Sequence, residues 1–149
     1  MCNNFIIFKI MKKILFLCTG NSARSIISEC LLNHMGGNKF NAYSAGSKPT
    51  GKVNPYAIQT LIKNNVNYSY VSSKSWDAFV NNSFDCVVTV CNNAANESCP
   101  IYPGSPKKLH WDLKDPAAFE GSKEEILKEF QKTFDLIKKY IEQDFLHKL

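Results

Sequence analysis

Short apolar runs alternate with amphipathic stretches along this chain, and the alternation predicts its elements. Ile14-Leu15-Phe16-Leu17 is uninterrupted and apolar, so residues 13–18 read as a buried strand. A helix is expected over 22–35, stopped by Gly36-Gly37, then a second short strand over 40–45. Across 54–64, Pro55 stands near the start, and Ala57, Ile58, Leu61 and Ile62 fall at helical spacing. Residues 75–81 read as a short helical segment. The Val-rich run 85–91 has the character of a central strand buried on both faces, and 108–113 supplies a fourth strand. Ser122 with Glu125 three residues on is a capping box that opens the last helix. There Ile126, Phe130, Phe134, Ile137, Ile141 and Phe145 repeat every three to four residues, an apolar stripe that reads as core packing and not as a cofactor box. Four strands separated by helices predict an α/β fold: a four-stranded parallel sheet flanked by helices on both faces. No internal repeat, low-complexity stretch or linker interrupts it. Residues 1–11, ending in a second methionine, read as an N-terminal extension, and 12–149 as a single domain.

The turn after the first strand carries the chemistry. Cys18-Thr19-Gly20-Asn21-Ser22-Ala23-Arg24-Ser25 places a cysteine six positions before an arginine, between a strand and a helix. Such a turn aims successive backbone N–H groups inward as an anion-binding nest, and the helix N-terminus adds partial positive charge. Arg24 offers a planar fork for two oxygens of a tetrahedral oxyanion. The same field is expected to draw the Cys18 thiol toward thiolate, and Ser25 can donate its hydroxyl to the sulfur. The competing reading is a small core cysteine beside an ordinary turn. An apolar run before the turn, Gly20 within it and an amphipathic segment after it favour chemistry.

Ligands of open parallel sheets bind beyond the carboxyl ends of the strands. Cys18 lies at such an end, and so does Cys91, which closes Cys86-Val87-Val88-Thr89-Val90-Cys91. Cys99 follows eight residues later, across a polar stretch. A zinc site needs a further ligand pair at short spacing, which the chain lacks. A permanent disulfide, a thiol relay and two separate core cysteines stay open, with the relay favoured. Residues eight apart on a helix stand about 12 Å apart, whereas a disulfide needs Cα atoms roughly 4.4–6.8 Å apart, so bridging this pair requires a loop or unwinding. Asp115-Pro116 marks a turn beyond the fourth strand, because proline disfavours helix at the preceding residue. Asp115 could there protonate a departing oxygen; Asp112 competes for that role.

Composition narrows the setting. Over 149 residues, 44% are hydrophobic and 21% charged, an ordinary globular balance. The net charge of +5 favours anions and acidic protein surfaces but lacks the basic stripe interleaved with aromatics that nucleic acid requires. No transmembrane run is present. Lys12-Lys13-Ile14-Leu15-Phe16-Leu17-Cys18 faintly resembles a lipoprotein signal, but its lysines break the apolar run and Leu17 is too bulky for cleavage. A cytoplasmic setting is therefore expected, in which six cysteines serve as redox-active or buried thiols.

Taken together, these residues resemble the arsenate reductases built on the low-molecular-weight tyrosine phosphatase fold. The resemblance runs from about Lys12 to the final helix. It is carried by Cys18 through Ser25, Ser44-Ala45-Gly46, Val90-Cys91-Asn92-Asn93-Ala94-Ala95, Cys99-Pro100 and His110-Trp111-Asp112-Leu113-Lys114-Asp115-Pro116. It implies that arsenate binds the backbone of Thr19, Gly20, Asn21, Ser22, Ala23 and Ser25 together with Arg24. Cys18 then attacks arsenic with Asp115 as general acid, and Cys91 and Cys99 resolve in turn. Thioredoxin or another thiol donor is the implied reductant, with phosphate or sulfate as competing anions. No cofactor, nucleic acid or membrane is implied, and a monomer is the default. Two departures stand out. Ala23 occupies a position where many relatives carry a second cysteine. Relatives with a potassium site use residues matching Asn21, Glu29 and Ser44, plus an Asp where this chain has Ser75, which weakens the case for a bound cation and leaves that site open. The alternatives are a tyrosine phosphatase acting through a Cys18 phosphoenzyme, which needs neither Cys91 nor Cys99, and a non-catalytic oxyanion-binding protein.

Overall fold

Strand β1 (Lys12–Cys18) forms where the apolar run predicts it, and every residue from Ile14 to Cys18 is buried. The structure is a computed structural model, and it describes residues 11–91 and 100–147. β1 lies between β2 (Phe40–Gly46) and β3 (Cys86–Thr89), and β4 (Lys107–His110) joins the outer edge of β3. All three pairings are parallel and the order is β2-β1-β3-β4, which is the expected four-stranded sheet. Among the described residues, α1 (Arg24–Gly36), α2 (Pro55–Lys63) and α3 (Lys123–Ile141) are the α-helices. Among the described residues no helix is long and apolar enough to cross a membrane.

Alternation along β1 divides the interior. Ile14, Phe16 and Cys18 face the three helices, whereas Leu15 and Leu17 face Phe84, Val87 and Tyr102, with Trp76 and Phe79 packed alongside. Helical segments thus lie on both faces: α-helices on one, the 3-10 turn Trp76–Phe79 on the other. The stripe of α3 is core, as predicted, with Phe130, Phe134, Ile137 and Ile141 buried. A π-helical turn, Glu142–Leu146, carries Phe145 against Phe16, Phe40 and Trp111. Trp111 stacks on Tyr140 at 5.1 Å and donates its indole N–H to Asp144. The capping box is formed in both directions, Glu125 N to Ser122 Oγ and Ser122 N to Glu125 Oε1.

Where boundaries differ from expectation, the site is the reason. α1 begins at Arg24 instead of residue 22, because 19–23 are spent on the turn. β3 ends at Thr89, two residues short of Cys91, and β4 ends at His110 instead of 113. Beyond it, Trp111 N donates a last bond to Thr89 O before the chain leaves the sheet.

Two buried thiols away from the carboxyl ends of the strands set an alkaline limit. Burial pushes Cys30 up to about 12 and Cys86 up to about 11, from an ordinary 9.0. Both must stay neutral in the folded chain, so their contribution is intact below pH 9.0 and is lost as pH rises toward 11 and 12. Denaturant midpoints should therefore fall across that window, and Cys86→Val should remove part of the slope. A pH-independent midpoint there would contradict this assignment.

Candidate active site

Cys18 ends β1 at the carboxyl edge of the sheet, and the next five residues turn the chain into α1. The turn depends on Asn21, which takes φ of 45°, a conformation asparagine tolerates better than most residues. Its side chain fixes that geometry from within. Nδ2 donates to Ser25 Oγ at 2.8 Å and to Ser44 Oγ at 3.0 Å, while Oδ1 accepts from Lys74 N at 2.9 Å. Ser44 in turn donates to the Glu29 carboxylate, so a buried chain of hydrogen bonds runs from Cys18 to Glu29. Cys18 Sγ lies 2.8 Å from Ser25 Oγ and accepts from Asn21 N at 3.2 Å.

The expected fall in the Cys18 pKa meets an opposing effect. Burial pushes this thiol above its ordinary value, against hydrogen bonds from Ser25 and Asn21 that pull it down, and the charge of Cys91 adds to the upward push. The expectation of a depressed thiol is therefore corrected: the sulfur is too well buried for a favourable field alone to lower it. Glu29 shows the same balance. Burial raises its pKa, while the Ser44 hydroxyl and the Lys74 ammonium pull it down.

Arg24 reaches back over the site. Nη1 donates to Leu113 O at 2.9 Å and Nη2 lies 3.8 Å from Asp115 Oδ2. Asp115 caps the turn Pro116–Ala118 by accepting from Ala117 N, which leaves its second oxygen toward the arginine. Asp112, the competing carboxylate, is exposed on the strand-end segment, and it is Asp115 that pairs with Arg24. Cys91 is buried two residues beyond β3, with its sulfur 3.7 Å from Thr19 Oγ1. Neighbouring parallel strands thus bring Cys18 and Cys91 to one rim, as expected. Cys99 lies outside the described residues.

The residues suggested for a cation are engaged in hydrogen bonds of their own. Asn21 Oδ1 is taken by Lys74 N, and Ser44 Oγ is held between Asn21 and Glu29. Ser75 directs its oxygen to Asp77 N at the start of a 3-10 turn.

Two contacts escaped the sequence, Thr19 with Cys91 and Lys74 with Asn21, whereas Glu29 and Ser44, grouped by the resemblance, meet as a buried pair. Glu29 had a visible signal. Ile26, Ile27, Cys30, Leu31 and Leu32 surround it on α1, a helix too apolar to leave it a solvated side.

The chain belongs to the low molecular weight phosphotyrosine protein phosphatase family, which residues 13–149 match. More particularly, the chain is similar to the arsenate reductase of Staphylococcus xylosus, 41% identical over 131 residues, which cover 88% of this chain and 94% of that protein. It is equally similar, at 41% over 126 residues, to the arsenate reductase of Bacillus cereus, covering 85% of this chain and 88% of the relative. Among solved structures it resembles the thioredoxin-dependent arsenate reductase of Corynebacterium glutamicum, with TM-score 0.64 and 29% identity. That match covers 92% of this chain and 65% of the longer neighbour.

Gly46, paired with Cys18 across the β1–β2 ladder, is a point of close approach. A Cβ there would stand 2.4 Å from Thr19 O and 3.0 Å from Asn21. Gly46→Ala should lower stability by about 1–3 kcal/mol and alter the rate of Cys18 alkylation, because the loop must move. Unchanged stability and unchanged alkylation would show that the loop has room to spare.

Proposed function

We propose that the protein reduces arsenate to arsenite through a three-cysteine relay, and that it does so as one domain, residues 12–149. The carrying observation is that Cys18 and Cys91 share one rim, joined through Thr19, with Arg24 and Asp115 beside them. The similarity to arsenate reductases supports the substrate.

In this reading arsenate, a tetrahedral dianion, lies on the amides of Thr19 through Ser25 and on Arg24. Hydrogen bonds from Ser25 and Asn21 work against the burial that disfavours the Cys18 thiolate, whose sulfur bonds to arsenic as water departs with a proton from Asp115. Cys91, facing Thr19, then attacks the sulfur of Cys18. The new S–S bond forms as the S–As bond breaks, and its electron pair leaves with arsenic as arsenite. Arsenic gains two electrons and the two thiolates lose them. Cys99 next attacks Cys91, releasing Cys18. An external dithiol of the thioredoxin kind reduces Cys91–Cys99 by exchange, as in a cytoplasm that keeps thiols reduced. Phosphate and sulfate, of the same shape, compete for the loop, and the chain acts as a monomer.

Hydrolysis of a phosphotyrosine needs Cys18, Arg24 and Asp115 but has no use for a buried thiol at 91. Cys91→Ser should therefore lower arsenite release by about a thousandfold or more, yet leave slow hydrolysis of an aryl phosphate intact. Arsenite turnover by Cys91→Ser at the wild-type rate with thioredoxin would overturn the relay.

A further inference from the structure

The anion loop is held from outside as well as from within. Thr19 O accepts from Lys48 N at 2.9 Å, and Ser22 O accepts from Asn54 N at 2.8 Å. Gly20 O accepts twice, from Thr50 N at 3.0 Å and from Ser73 Oγ at 3.1 Å. A trans peptide is planar, so each carbonyl and the N–H that follows it point in opposite directions. Outward carbonyls at Thr19, Gly20 and Ser22 therefore turn the amides of Gly20, Asn21 and Ala23 inward. The middle one is directly visible, because Asn21 N donates to Cys18 Sγ.

Of these clamps only the one on Gly20 uses a side chain. Ser73, half-buried and 53 residues away in sequence, gives its proton to Gly20 O and accepts from Gly51 N at 3.1 Å. One hydroxyl thus ties the loop 47–54 to the anion loop. The adjacent Lys74 N binds the Asn21 side chain, so residues 73 and 74 hold the Gly20 carbonyl and the Asn21 side chain from one segment.

We propose that Ser73 is a positioning residue for the oxyanion: by holding the Gly20 carbonyl outward, it keeps the Asn21 amide aimed at Cys18 and at the anion above it. This rests on the reading that the loop binds arsenate. Ser73 touches neither the sulfur nor the anion; it acts through one peptide plane.

The test compares Ser73→Ala, Ser73→Thr and Ser73→Val, the last two nearly equal in shape and differing in the hydroxyl. Three quantities are read: the pH profile of Cys18 alkylation mapped by peptide mass, protection of Cys18 by inorganic sulfate, and KM for arsenate. Loss of one hydrogen bond should weaken sulfate protection and raise KM by about three- to tenfold in the Ala and Val variants, and move the alkylation profile to higher pH. Ser73→Thr should stay near wild type. Should Ser73→Ala prove unstable, the Thr–Val difference carries the same information. Equal behaviour of Thr and Val in all three readouts overturns the proposal. Failure of sulfate to protect the wild-type protein would instead sink the oxyanion reading itself, and this proposal with it.

Discussion

The parallel register of β1 against its two neighbours sets where Cys18 and Cys91 stand. Cys18 lies opposite Gly46 on one side, and Leu17 lies opposite Thr89 on the other. The first pairing brings the anion loop against a residue with no side chain to obstruct it. The second carries the chain, two residues later, to a cysteine beside Thr19. A slip by one residue in a strand reverses every side chain, so the apolar run Ile14–Leu17, buried on both faces, secures the site as much as the core.

Charge at the centre is a contest between burial and hydrogen bonding. Burial of Cys18 disfavours its thiolate, while Ser25 and Asn21 favour it. The start of α1 at Arg24 adds a field of the same favourable sign. The network continues through Ser44 to Glu29, so Asn21 is fixed at positive φ by contacts reaching α1, β2 and the segment at Lys74. Arg24, resting on Leu113 O and beside Asp115, lies between the loop and the turn that begins at Pro116. Ordering of this kind reduces what must be rearranged when an oxyanion arrives.

Much of this was legible in the order of residues. An uninterrupted apolar run, a Gly-Gly stop and a capping box are local signals, and β1, the end of α1 and the start of α3 follow them closely. Cys18, Arg24 and Ser25 were readable for the same reason, since a strand–turn–helix places them within one turn of each other. Asp115 was legible through its proline. What escaped depends on contacts across long sequence separations. Thr19 meets Cys91 at a separation of 72 residues, and Ser73 meets Gly20 at 53. No local pattern announces such pairs. The depressed Cys18 thiol was misjudged because the sequence displays the favourable helix terminus but not the depth of burial. The end of β4 was placed too late because the apolar Trp111 and Leu113 extend the pattern, although they pack against the helices beyond the ladder.

The central claim is that two electrons pass from Cys18 and Cys91 to one arsenate. It is tested most directly by a single turnover: the fully reduced chain is mixed with arsenate in the absence of any reductant, and both products are measured. The account predicts one arsenite released per chain, together with a chain lighter by two hydrogen atoms whose new disulfide maps to Cys91 and Cys99. Arsenate returned unreduced with the chain mass unchanged would contradict it.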